Sequence, residues 1–109
     1  MSDDADRWGI DELDGLTHTL IAHRIQGWEV MVGGGPDRFI VTATTDDGNR
    51  VANAINGAPA DDDETVELTV GGQAVDYPAT YALARNETRR ALLDLESGVL
   101  PDDRWEQLS

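Results

Sequence analysis

The spacing of apolar residues predicts a helix near the start of the chain. Four of them recur three or four positions apart and would form one stripe on a helix: Ile10, Leu13, Leu16 and Leu20. Acidic residues follow Ile10 directly, in the first turn, where carboxylates favour the positive end of the helix dipole. We predict a helix over residues 10–26, ended by Gly27 as the C′ residue.

The period then changes from helical spacing to strict alternation, which is typical of half-buried strands. Alternation over 28–32 and 39–44 predicts an antiparallel hairpin closed by a glycine-rich turn. Residues 50–56 fit either a strand or a short helix, and we expect a strand because an Asp-Gly turn precedes them. Alternation over 66–70 and 73–77, around Gly71-Gly72, predicts a second hairpin.

A second helix is predicted over residues 85–97, because Thr88, Ala91, Leu92 and Leu95 make an apolar stripe that ends at Gly98. Residues 104–107 then predict a short last strand. It would be anchored by burial of Trp105, which contributes on the order of 1.5–3 kcal/mol.

The order of these elements predicts an α+β fold. We expect an antiparallel sheet of about four to six strands with an N-terminal and a C-terminal helix packed on it. The length predicts a single domain over residues 1–109, of which residues 1–8 show no periodicity and are expected to be a disordered acidic arm.

Charge narrows the choice of partner. The chain has 22 acidic and 8 basic residues, and every basic residue is an arginine. Its net charge is −14. Such a surface repels nucleic acid and anionic membranes, so we predict no direct binding to either and favour a basic protein partner. An alternative stays open, because the same composition arises in GC-rich or salt-adapted genomes and keeps small proteins in solution.

Cysteine is absent, so neither a disulfide framework nor a thiolate metal site is expected. The first residues are acidic, unlike a secretory signal, and no apolar run approaches the ~20 residues of a membrane span. These features predict a cytoplasmic protein.

Catalytic and ligand-binding patterns are weak throughout the chain. His18 and His23 would lie on different faces of the first helix, and the glycines at 33–35 precede a strand rather than a phosphate-binding helix. The acidic run at 61–64 lacks the spacing of a calcium loop. We therefore predict no enzymatic activity, no cofactor and no metal site.

What the sequence does offer is acidic surface with a few aromatic residues. Carboxylates can steer a basic partner, and one or two buried aromatic anchors can hold it. The candidate partner-binding residues are Asp46, Asp47, Asp61, Asp62, Asp63 and Glu64, with Tyr81 and Trp105 as candidate anchors. The other interpretation places these aromatics in the core and leaves the loops solvated.

Several short motifs resemble one family of proteins. They are Val66-Glu67-Leu68-Thr69-Val70-Gly71-Gly72-Gln73-Ala74, Tyr77-Pro78-Ala79-Thr80-Tyr81, Ala91-Leu92 with Gly98, Arg104-Trp105-Glu106, and the opening Ile10-Asp11-Glu12-Leu13-Asp14-Gly15-Leu16. They resemble the actinobacterial branch of the Imm-one immunity proteins, and the resemblance extends over about three-quarters of the chain.

This resemblance implies an α+β protein encoded beside a polymorphic toxin, often a nucleic-acid deaminase. Such a protein has no activity of its own and protects the producing cell by binding the toxin domain. We therefore expect a toxin-neutralising protein, a monomer or weak dimer, that occludes a basic toxin domain. The alternative is an interaction module with another role, such as a secretion chaperone or an accessory subunit.

Overall fold

The computed structural model describes residues 9–35, 37–56 and 64–107. The predictions of an acidic arm at 1–8 and of binding residues at Asp61, Asp62 and Asp63 fall outside these residues. Within them the protein is a mostly antiparallel β-structure with one α-helix.

Seven strands form two sheets rather than the single predicted sheet. The larger sheet has five strands in the order β1-β2-β3-β4-β7, with every pair antiparallel: β1 Leu20–Ile25, β2 Trp28–Gly34, β3 Phe39–Thr45, β4 Val51–Ala54 and β7 Trp105–Gln107. The smaller sheet is a two-stranded ribbon of β5 (Thr65–Val70) and β6 (Gln73–Pro78). A 3-10 turn at Ala79–Tyr81 leads from the ribbon to the helix α1, Arg85–Ser97.

The predicted N-terminal helix is wrong. Only Ile10–Glu12 forms a 3-10 turn, and a loop then leads into β1. Ile10 and Leu13 are fully buried, whereas Leu16 is 84% exposed and Leu20 is 43% exposed. The four residues of the predicted stripe therefore do not share a face.

Local hydrogen bonds explain why a helix does not continue past residue 12. The Asp14 carboxylate accepts the backbone N–H groups of Leu16, Thr17 and His18 at 2.8, 2.9 and 3.0 Å, so these donors are used by a turn. This is how aspartate competes with helical hydrogen bonding. These donors lower the pKa of Asp14 well below its usual range, with His18 the largest contributor.

Residues 20–25 form a strand because they pair in register with β2 along their whole length. Gln26 and Gly27, which the sequence suggested as a helix end, instead connect the two strands. Their φ angles are 50° and 84°, and a two-residue type I′ hairpin turn requires positive φ at both of its central residues. His23 consequently lies in β1 and His18 in the preceding loop, not on a helix.

The remaining secondary-structure predictions are confirmed. The hairpin of β2 and β3, the strand at 51–54, the ribbon, the helix at 85–97 and the last strand all form. Gly98 ends α1 in the left-handed conformation, with φ 82°, and its N–H donates to the carbonyls of Asp94 and Leu95.

The core lies between α1 and one face of the larger sheet. Thr88, Ala91, Leu92 and Leu95 of the predicted stripe are all buried. The sheet contributes alternate residues from each strand, including Val30, Val32, Phe39, Val41, Ala43, Ala52, Ala54 and Trp105. This face is called the inner face below, and the opposite one the outer face.

Candidate partner-binding surface

The outer face of the larger sheet carries the residues that alternate with the core positions. One row of directly opposed residues crosses all five strands: Ala22, Met31, Thr42, Asn53 and Glu106. A parallel row contains Arg24, Glu29, Thr44 and Val51. No helix of the described chain packs on these rows, since α1 lies against the inner face.

The ribbon of β5 and β6 covers one end of the outer face. A Cβ atom added to Gly33 would point outward and lie 2.6 Å from Val70 Cγ1, so only glycine leaves room for the ribbon at this distance. The Gly72 N–H also donates to Thr19 Oγ1 at 2.9 Å, which ties the ribbon's turn to the residue before β1. Among the described residues, the ribbon therefore covers the outer face near Gly33, and no other element covers the face beyond it.

We define the open sheet face as the outward residues beyond this contact: Ala22, Arg24, Glu29, Met31, Thr42, Thr44 and Asn53. Met31 at its centre is 47% exposed, and a depression of about 380 Å³ lies beside it. The neighbours of Met31 in its row, Ala22 and Thr42, carry no charge although the chain has 22 acids. A centre depleted of charge and ringed by polar groups is the usual composition of a protein–protein interface.

One end of the open sheet face carries an arginine between two carboxylates. Arg24 Nη1 lies 2.8 Å from Asp46 Oδ1, and Arg24 Nη2 lies 4.0 Å from Glu29 Oε1. All three side chains are more than half exposed. Exposed ion pairs of this kind stabilise a protein by only about 0.2–1 kcal/mol. A partner that binds Arg24 or its carboxylates therefore breaks the pairs at little cost in free energy. This arrangement places the predicted residue Asp46 at the rim of the face.

Tyr81 borders the open sheet face on the side of β7. The Tyr81 hydroxyl donates to Oε1 of Glu106, which opposes Asn53 in the sheet. The hydrogen bond and the negative charge of Glu106 raise the pKa of Tyr81. Asn53 accepts a separate hydrogen bond from Thr42 Oγ1 at 2.9 Å, so two pairs of side chains on this side of the face are held by hydrogen bonds.

The other predicted acidic residues have different surroundings. The Asp47 carboxylate stabilises the β3–β4 turn, accepting bonds from Asn49 N–H at 2.9 Å and Thr45 Oγ1 at 2.7 Å, and these bonds lower its pKa. Glu64 is exposed before β5, and its carbonyl accepts the Ala79 N–H. The structure thus brings Asp46 and Tyr81 to the open sheet face and leaves Asp47 to its turn.

Trp105, the second candidate anchor, lies in the core with 3% of its surface exposed. Its indole Nε1 donates to Asp94 Oδ2 at 3.1 Å. Arg104 binds the same carboxylate with two hydrogen bonds, of 3.0 and 2.9 Å, which raise the pKa of the guanidinium. These hydrogen bonds connect β7 to α1. Trp105 is therefore a core residue and not an exposed anchor.

A second cavity of about 440 Å³ lies between α1, the end of β4 and the loop before β7. Three of its polar side chains are engaged within the chain: Glu87 Oε1 accepts the Ala84 N–H, the Asn56 amide donates to the carbonyls of Ala79 and Ala82, and Arg104 binds Asp94. The lining also includes the polar side chains of Asn86, Arg90 and Asp103.

Two further observations concern metals and membranes. The described residues contain no group of three or more histidine, cysteine or acidic side chains that could hold a metal ion. None of the described helices has the length and apolar character needed to cross a bilayer.

Sequence reasoning missed Met31 and Glu106 as surface residues. Their signal was present in the alternation, because Met31 lies between the buried Val30 and Val32 and therefore points outward. The alternation does not show that α1, the one α-helix among the described residues, packs on the other side of the sheet.

Comparison with known proteins does not place the chain in a family: no family model, curated protein or solved structure matches it.

Proposed function

We propose that this protein is an immunity protein that binds and occludes a cognate toxin domain. The toxin would be basic and would act on nucleic acid, as a deaminase does. The immunity protein would act in the cytoplasm as a monomer or weak dimer, with no cofactor and no activity of its own.

The observation that carries the proposal is a sheet face that no described helix covers, with an uncharged centre and carboxylates at its rim, in a chain of net charge −14. A domain that acts on nucleic acid must be positively charged where its substrate enters. An acidic protein is attracted to the same region and can exclude the substrate from it. The resemblance of the sequence motifs to the Imm-one immunity proteins supports the same function.

Binding of this type needs no chemistry from the inhibitor. The acidic surface raises the rate of encounter, and contacts made by a few partly buried residues determine how long the complex lasts. Tyr81 fits the second role better than Trp105, because it is partly exposed beside the open sheet face.

The test is co-expression with the product of the neighbouring gene. If the proposal is correct, that product alone stops growth of a host cell, and this protein restores growth through a stoichiometric complex. A neighbouring product that is harmless but binds would favour a secretion chaperone or accessory subunit. A neighbouring toxin that this protein neither binds nor neutralises would contradict the proposal.

A further inference from the structure

Glu106 has an unusual environment for a carboxylate in this chain. It is half-buried at the end of the cross-strand row, and the Tyr81 hydroxyl fixes one of its oxygens. Among the described residues no arginine forms an ion pair with it, whereas Asp46 and Asp94 each have one. The second carboxylate oxygen accepts no hydrogen bond from the described residues, so it is placed to bind an external cation.

The rest of the row is suited to apolar contact. Met31 is an adaptable side chain of the kind enriched at interfaces, and 47% of its surface is exposed. Ala22 and Thr42 on either side of Met31 are short and leave its side chain accessible. Within one face, an apolar centre is therefore flanked by the Glu106 carboxylate on one side and by Asp46 and Glu29 at one end.

We infer that the open sheet face, together with the adjoining Glu106 of β7, docks a basic surface of the partner protein, whose arginine or lysine binds the Glu106 carboxylate while its apolar side chains pack on Met31. This inference rests on the proposed function only in taking a protein as the occupant. Charge complementarity selects a basic protein over a second copy of this chain, since two copies of charge −14 repel each other.

Two substitutions test the surface, each with a matched control elsewhere. Met31→Arg places a cation in the centre of the face, and Leu93→Arg makes the same charge change at a position on α1 that is 51% exposed. Glu106→Gln removes the unpaired charge with little change in shape, and Glu67→Gln does so on the exposed side of the ribbon. Thermal unfolding of each variant verifies that it is folded.

Binding is measured by calorimetry with two probes. The first is the purified product of the neighbouring gene. The second is a short synthetic peptide of alternating arginine and leucine, a minimal basic strand with one apolar side. We expect Met31→Arg and Glu106→Gln to weaken binding of both probes about tenfold or more, and both controls to bind within about threefold of the natural chain. NMR of methionine labelled at its methyl group should show the Met31 signal shifting with either probe.

The outcomes separate this inference from the proposed function. Loss of peptide binding in the two face variants, without any binding of the neighbouring product, would support the docking surface and refute the immunity role. Equal binding of both probes to Met31→Arg and Leu93→Arg would overturn the docking surface. The natural chain could also prove to be a dimer that Met31→Arg dissociates. That result would identify a second copy of the chain as the occupant and would overturn the inference of a basic partner.

Discussion

At the residue scale, one buried carboxylate joins the helix to the last strand. Asp94 is 8% exposed and binds both the Arg104 guanidinium and the Trp105 indole. Buried polar groups are costly unless they are hydrogen-bonded, and here each partner satisfies the other. The same side chains explain how a tryptophan close to the end of the chain is held in the core.

Replacing this carboxylate should destabilise the protein. Asp94→Asn removes the charge and leaves the indole N–H or the guanidinium poorly paired, so we expect the free energy of unfolding to fall by about 1–3 kcal/mol. Urea denaturation followed by tryptophan fluorescence measures the loss. Asp102→Asn removes the same charge at an exposed position, and we expect it to change stability by less than about 0.5 kcal/mol. Equal effects of the two substitutions would contradict the role assigned to Asp94.

Asp14 should make stability depend on pH in acid. Its folded pKa lies below its ordinary value of 3.8, so ionised Asp14 favours the folded state above that pH. This contribution is lost as the pH falls through the folded pKa. We therefore expect Asp14→Ala to lower the melting temperature at neutral pH, and the difference from the natural chain to shrink below about pH 4. A difference that stays constant down to pH 2 would show that the charge is not involved.

At the scale of elements, the first hairpin illustrates how a turn can be mistaken for a helix end. Helical spacing of four apolar residues and a glycine at position 27 favoured a helix. The alternation of Ile21, His23 and Ile25 toward the inner face was weaker, because the intervening residues include Leu20 and Ala22. Residues 20–25 form a strand because they pair with β2. The free energy gained by this pairing depends on a partner strand, so it cannot be read from the local spacing of apolar residues.

The turn itself can be tested by substitution. Asparagine tolerates positive φ better than glutamine, so Gln26→Asn should stabilise the protein by about 0.5 kcal/mol. Gly27→Ala should destabilise it by about 1 kcal/mol, because alanine is strained at a φ of 84°. Thermal unfolding of both variants provides the measurement. If Gln26→Asn destabilised the protein, the hairpin turn would be in doubt.

The close approach of the ribbon to the sheet at Gly33 depends on the absence of a side chain at that position. Gly33→Ala would force its Cβ to within 2.6 Å of Val70 Cγ1, and we expect a loss of about 1–3 kcal/mol. Val70→Ala in the same chain makes room, so the double variant should be less affected than the two single changes predict together. A double-mutant cycle in urea measures this coupling. Additive effects would mean that the ribbon and the sheet do not meet at Gly33.

At the scale of the whole molecule, the net charge predicts how fast a basic partner would associate with the protein. With a net charge of −14, association with a basic domain should be accelerated at low salt. The Debye length falls from about 10 Å at 0.1 M to about 3 Å at 1 M salt, so the association rate constant should drop about tenfold or more over this range. Stopped-flow mixing with the neighbouring gene product measures it. A rate constant independent of salt would exclude acidic steering.

The sequence by itself determined the elements whose patterns are local. Alternation specified β2, β3 and the ribbon, and the stripe ending at Gly98 specified α1, because side-chain period and glycine conformation act within a few residues. It also determined the charge, and with it the kind of partner to expect.

Only the tertiary structure decided which faces of these elements are covered. The ribbon meets the sheet through Gly33 and Val70, and Tyr81 reaches Glu106, in both cases across more than 20 positions of the chain. Such contacts depend on which strands pair and how they stack, so no local pattern encodes them. For the same reason the fold buried Trp105 and left Met31 open, although the sequence had singled out the tryptophan as a candidate anchor.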